Sequence, residues 1–262
     1  MPRRTPSPSP SARAVARPAL RPAPPHLDPL ADLPLHVRPG RASGDDVALG
    51  HPRRPRWRGV VHAVALVVAL PALGGLIVAT DLPRARAGVV VYAAGMCAMF
   101  AVSATYHRVV RRRRARAAWR RADHATIFAA IAGSATPIAL VGMGGAAGWV
   151  VVAVTWASSG VGAWCELATW HGGDRAGSLM YGVVSVVAAV ALPATWVRAG
   201  ALPAALIVAG GVVYLLGAAC FAARRPVLAP TAFSYHEVWH VATVVAATLH
   251  FAAIARLVTT VG

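Results

Sequence analysis

The sequence predicts an all-α fold: a seven-transmembrane helix bundle with its N-terminus cytoplasmic and its C-terminus outside, preceded by a disordered leader. Three observations carry that prediction. Of 262 residues, 57% are apolar and only 13% charged, which is not the composition of a soluble domain. The apolar residues fall into blocks of about 20, the length a helix needs to cross the hydrocarbon layer. The charge is one-sided, with 26 basic side chains against 9 acidic ones, and most of it lies outside those blocks.

Residues 1–56 form the first predicted domain. Eleven of the first fifty are Pro, most of the rest are Arg, Ala, Ser and His, and no period of 3.6 or 2 survives, so the segment is expected to be disordered. It does not resemble a cleaved secretory signal, because the first apolar block is a full span followed by six more. Its prolines also break the amphipathic helix that an organellar transit peptide requires.

Residues 57–262 form the membrane domain. Seven apolar blocks run over 59–80, 88–108, 123–141, 147–166, 177–197, 201–222 and 236–258. Backbone amides in lipid must be bonded internally, and the alternation of a membrane barrel is absent, so these blocks are helices. With the N-terminus inside, the inner connections include RVVRRRRARAAWRR, with eight Arg between 108 and 121, and AARRP at 222–226. The outer connections carry only Arg84, Arg86 and Arg198, so the positive-inside rule sets the stated orientation. Arg clusters flanking spans are read as topology signals and lipid-headgroup contacts rather than nucleic-acid binding. Every basic residue is Arg and none is Lys, a coding bias that deprives the Arg identity of functional weight.

Other features are ordinary bundle material. Gly74 and Gly75, Gly142, Gly144 and Gly145, and Gly210, Gly211 and Gly217 are expected to let helix backbones approach closely. Pro71, Pro137, Pro193 and Pro203 lie in or at the edges of spans, where kinks are tolerated. Trp57, Trp149, Trp170 and Trp196 fit an interfacial belt. Cys97, Cys165 and Cys220 are too scattered for a disulfide framework or zinc ribbon and are read as small buried side chains.

Ionisable residues inside a span are costly and so mark candidate sites. Three span ends on the cytoplasmic side hold such groups at one depth: Ser103 and His107 in span 2, Asp123 and His124 in span 3, and His236, Glu237 and His240 in span 7. Residues four apart share a helix face, which pairs His236 with His240 and Ser103 with His107. Glu237 is turned about 100° from His236, and Asp123 and His124 cannot both face one point. Two imidazoles from span 7 and one from span 2 give three nitrogen ligands and leave a tetrahedral ion one open position, the arrangement of a catalytic zinc. Asp123 is then the partner for water at that position, and Ser103 can hydrogen-bond a water or a substrate carbonyl. Two other arrangements stay open on spacing alone: histidines hydrogen-bonded to one another and to Asp123 without metal, and a bis-imidazole haem between spans 2 and 7. His62 and His250 are lone and are read as satisfied interhelical hydrogen bonds. Glu166, Trp170, His171 and Asp174 are read as a solvated loop, and His26, His36 and His51 belong to the leader.

Three stretches, SATYHR, RRADHATIFAAIAGSATP and ARRPVLAPTAFSYHEVWHVATVVAATLHF, resemble the signature regions of the hemolysin III family. That family stands with the progestin and adipoQ receptors and, more distantly, the alkaline ceramidases, seven-helix membrane proteins proposed to be metal-dependent hydrolases. The resemblance covers residues 57 to 262 and follows the pattern S-x-x-x-H, Asp, H-x-x-x-H. It implies that His107, His236 and His240 hold zinc, that Ser103 and Asp123 serve beside it, and that His124 is no ligand. It also implies a bacterial inner-membrane protein with membrane lipids as partners and a lipid substrate whose carbonyl lies near the inner headgroup boundary. Three function classes follow: a ceramidase-like hydrolase of lipid amides or esters, a pore-forming cytolysin, and a lipid-homeostasis factor or sensor in which zinc is structural. No span carries the continuous polar stripe that lines a channel.

Overall fold

The computed structural model describes residues 55–168, 173–229 and 231–261. The predicted disordered leader, its histidines, Trp170, His171 and the Asp174 side chain lie outside the described residues. Among the described residues, seven helices are long and apolar enough to cross a membrane: span 1, Val60–Val78; span 2, Pro83–Arg108; span 3, Ala115–Met143; span 4, Gly145–Leu167; span 5, Ala176–Ala199; span 6, Ala201–Ala222; and span 7, Tyr235–Thr260. The protein is thus an all-α, seven-span bundle of the multi-pass membrane type.

Two helices begin earlier than hydropathy suggests. Span 2 starts at Pro83, whose fixed φ and missing N–H suit a first turn. The helix of span 3 starts at Arg113, because arginines propagate a helix well even though they cannot enter lipid. Asp123 therefore lies ten residues, about 15 Å, into a continuous helix and not at its mouth. Pro137 is followed by a π-helical stretch, Ile138–Met143, closed by Gly144 at φ 68°. Span 5 breaks after Ala189 and resumes at Leu192 with Pro193 in its first turn.

Successive spans pack as neighbours and span 1 closes the ring against span 7. Span 3 also touches spans 5 and 7, and 72% of its most apolar stretch is buried, against 50% or less for every other span. It is the central post of the bundle. The core beside it is built from Leu73, Val89, Tyr92, Met96, Phe100, Ile254 and Leu257. Val67, Val186, Leu179 and Leu215 are instead exposed around the outside, an apolar surface that suits hydrocarbon rather than water.

The glycines that permit close packing are only partly those expected. Gly210 faces His250 and Gly217 faces Ala242, but Gly74, Gly75 and Gly211 have nothing within 4 Å of an added Cβ. The tightest backbone approaches occur at single glycines, Gly95 against the carbonyl of Ala129 and Gly148 against that of Ala139. Runs of glycine mark an apolar helix, whereas one glycine at the facing rotation decides contact. All three cysteines are free, and only Cys165 is fully buried.

Candidate metal centre

The first turn of span 7 is locked before its histidines appear. Ser234 is the extended N-cap, and the Glu237 carboxylate accepts its N–H at 2.8 Å and its hydroxyl at 2.7 Å through Oε2. The other oxygen accepts from Nε of Arg58, two residues before span 1, and both side chains are almost fully buried. Glu237 thus points away from His236, as the 100° rotation requires, and clips the entry of span 1 onto the entry of span 7. The S-x-x-E spacing of SYHE was the available signal for this cap.

On the opposite side of that turn, three imidazoles converge. His107, His236 and His240 are all buried, with ring centroids 4.9 Å apart in every pair. One ring nitrogen from each lies within 4.8 Å of the other two. Nε2 of His107 and Nε2 of His236 are 3.4 Å apart. Asp123 Oδ2 stands 3.4 Å from the same His107 nitrogen, and the Ser103 side chain lies beside that carboxylate. Phe221 of span 6 closes the apolar side, its ring 5.2 Å from His236. The structure therefore brings together all five residues singled out by spacing: His107, His236, His240, Asp123 and Ser103.

One pair of the donor set has the spacing that a tetrahedral cation requires. Two nitrogens held about 2.0–2.1 Å from one such ion stand about 3.4 Å apart, the separation found here. That distance is long for a direct hydrogen bond, whose mode is about 2.9–3.0 Å. Nδ1 of His240 is buried with no hydrogen-bond partner, a polar atom that the contacts among the histidines and Asp123 leave unsatisfied. With three rings mutually 4.9 Å apart, no macrocycle fits between spans 2 and 7. The buried group His107, His236 and His240 could hold a metal ion. Spans 2 and 7 do not run as a close-packed pair, so the imidazoles themselves bridge them.

Two residues, Glu166 and His62, behave differently from the sequence reading. Glu166 is not in a solvated loop: span 4 runs through Leu167 and buries it to 1% exposure. Its Oε2 lies 3.2 Å from Nδ1 of His124, and Tyr181 reaches both the His124 carbonyl, at 3.0 Å, and Glu166 Oε1, at 3.4 Å. Gly177 leaves the room, since a Cβ there would overlap the carboxylate. His124 thus turns from the triad and completes a second polar cluster with Glu166. His250 does meet a neighbouring span, its Nε2 3.1 Å from the carbonyl of Ile207. His62 does not: it is buried, and no hydrogen bond of normal geometry reaches either ring nitrogen. Its ring lies against His240 at 4.1 Å. Only helical rotation around the triad shows this, and no local pattern around His62 announces it.

Comparison with known proteins agrees with this architecture. The profile of the family described as haemolysin-III related matches residues 51–251, which include every span up to most of span 7 and the whole His–Asp–Ser group. The chain is also 24% identical over 184 residues to Hemolysin-3 of Bacillus cereus, an alignment covering 69% of this chain and 81% of that protein. With seven apolar helices, a buried histidine triad and a profile match over most of its length, this chain belongs to the haemolysin-III related family.

Proposed function

We propose that this protein is a zinc-dependent hydrolase of lipid amide or ester bonds in the bacterial inner membrane, with the triad at the cytoplasmic end of the bundle. The observation that supports it is the 3.4 Å separation of the His107 and His236 nitrogens beside a carboxylate, a donor set with a proton acceptor in contact. His107, His236 and His240 would hold the ion. Zinc, when bound, supplies Lewis acidity that polarises a carbonyl and acidifies water. Asp123 Oδ2 accepts the proton that water gives up as it attacks. The Ser103 hydroxyl holds Asp123 in place and can turn to donate to the substrate oxygen as negative charge grows there. Asp123, 14% exposed at its side chain, is more open than any of the three triad histidines, so protons and water exchange past it. The Arg-rich start of span 3 favours an anionic headgroup at the same end.

The bridging of spans 2 and 7 favours a second reading, a lipid sensor in which the metal only joins the helices. One experiment separates the two. Purified protein is expected to carry about one zinc per chain, and a fluorescent N-acyl amide lipid in mixed micelles is expected to be cleaved. His236→Ala should lose both zinc and turnover, whereas Asp123→Ala should keep zinc and lose turnover. Turnover retained in both variants would overturn the hydrolase. Zinc without any turnover, with melting temperature falling on chelation, would establish the sensor instead. Dye release from liposomes that persists in chelator would point to the cytolytic class.

A further inference from the structure

His62 is a fourth imidazole at the triad for which neither the family pattern nor the mechanism above has a use. The entry of span 1 is pressed into the site at two successive turns. Gly59, at φ 75°, lies so close to His107 that a Cβ would come within 2.6 Å of the His107 Cβ. One turn on, the His62 ring lies 4.1 Å from His240 and 5.3 Å from Phe100, the residue one turn before Ser103. His62 is only 4% exposed. Its stack against His240 covers the ring face, and apart from a weak approach to the His240 main chain, Nδ1 and Nε2 are both buried without a partner of normal geometry.

That combination is costly unless something supplies the missing bonds. A neutral imidazole has one N–H donor and one acceptor nitrogen, and burying either unpaired costs about 1–3 kcal/mol. A Phe in the same place would stack on His240 and Phe100 without that penalty. His250, the comparable histidine deeper in the bundle, takes a main-chain carbonyl, so this fold can satisfy an isolated imidazole where nothing else is required of it. Arg58, four residues earlier, is engaged with Glu237 and turned to the other side of the clip. The ring nitrogens of His62 are therefore unspent hydrogen-bonding capacity beside the triad.

We infer that His62 is a ligand-reading residue: it hydrogen-bonds an oxygen of whatever occupies the open position at the His107–His236–His240 triad, a substrate carbonyl or hydroxyl, or the carboxylate released by hydrolysis. The inference rests on the metal-site reading above. It gives span 1 a role in recognition, with Gly59 admitting span 1 close enough to His107 for the neighbouring imidazole to reach the occupant.

Cobalt in place of zinc makes the test optical, since the visible band of tetrahedral cobalt responds to a ligand entering its open position. The whole chain in detergent is loaded with cobalt and titrated with acetate, and His62→Phe and His62→Gln are compared with wild type. His62→Phe should bind the same amount of cobalt and weaken acetate about tenfold, the worth of one hydrogen bond to a charged group. His62→Gln, which keeps a donor, should recover most of that affinity. Should the Phe variant not fold, His62→Met offers similar volume without an N–H. Equal acetate affinity in wild type and His62→Phe overturns the inference and leaves the metal centre standing. Loss of cobalt from a folded His62→Phe also overturns it, by making His62 a ligand. A wild-type chain that takes up no cobalt ends the metal reading and this inference together.

Discussion

Replacing Arg58 with Met tests how the mouth of span 7 is built. Arg58 and Glu237 are 3% and 1% exposed, so neither charge can find water when its partner is removed. Breaking a pair of this kind costs about 3–5 kcal/mol, because the remaining charge stays buried. Glu237 keeps the Ser234 N–H and hydroxyl at 2.8 and 2.7 Å, which places Arg58→Met at the lower end, about 3 kcal/mol. For a domain of this size, that lowers the melting temperature by about 6–12 °C. The assay is thermal unfolding in detergent, followed by intrinsic Trp fluorescence. Arg58→Met/Glu237→Met, which removes both charges, should be more stable than Arg58→Met alone, since an apolar pair leaves nothing uncompensated. A melting point within 2 °C of wild type for Arg58→Met, roughly the shift of 1 kcal/mol or less, would refute the buried clip. So would a double variant less stable than the single.

Two further outcomes follow from the same geometry. Chelation should lower the wild-type melting temperature: an ion present at about a hundred times its dissociation constant contributes about 2.7 kcal/mol, and a His240→Ala variant should melt alike with and without chelator. Gly95→Ala forces a methyl against the Ala129 carbonyl and should cost about 1–3 kcal/mol by overpacking. Gly74→Ala, with nothing within 4 Å, should be neutral or gain up to about 1 kcal/mol from helix propensity, and melting of the two variants side by side checks the pair.

The bundle was legible because the bilayer imposes one rule on every span. A block of about 20 apolar residues admits no other satisfied backbone, so seven blocks mean seven helices without any knowledge of packing. What hydropathy could not locate is where a helix continues into polar sequence. The arginines of 113–121 stay helical, which lengthens span 3 and moves Asp123 from a helix mouth to its flank. The same blindness misplaced Glu166, which looks like a loop residue because it follows an apolar run but is the last buried turn of span 4. Gly177 on span 5 makes room for it, a relation between two helices that no single stretch records.

The candidate site divides along the same line. Spacing of four placed His236 over His240 and Ser103 under His107, because helical rotation is an arithmetic property of sequence. The convergence of spans 2, 3 and 7 rested on a coincidence of depth, and it holds because span 3 is the buried post that touches the others. Depth alone, however, says nothing about which side of a helix faces inward. That is why Glu237, in the middle of the motif, turns out to serve Arg58, and why His62, read as a lone residue with its own hydrogen bond, lies against His240 without one of normal geometry. The polar mouth of span 7 therefore does two separate jobs on two faces of one turn. Glu237 fastens span 1 to the bundle with a buried ion pair, and His236 and His240 complete the triad. Because the fastened segment also carries Gly59 and His62 into the site, loosening the clip should alter what the triad binds as well as how firmly the helices hold together.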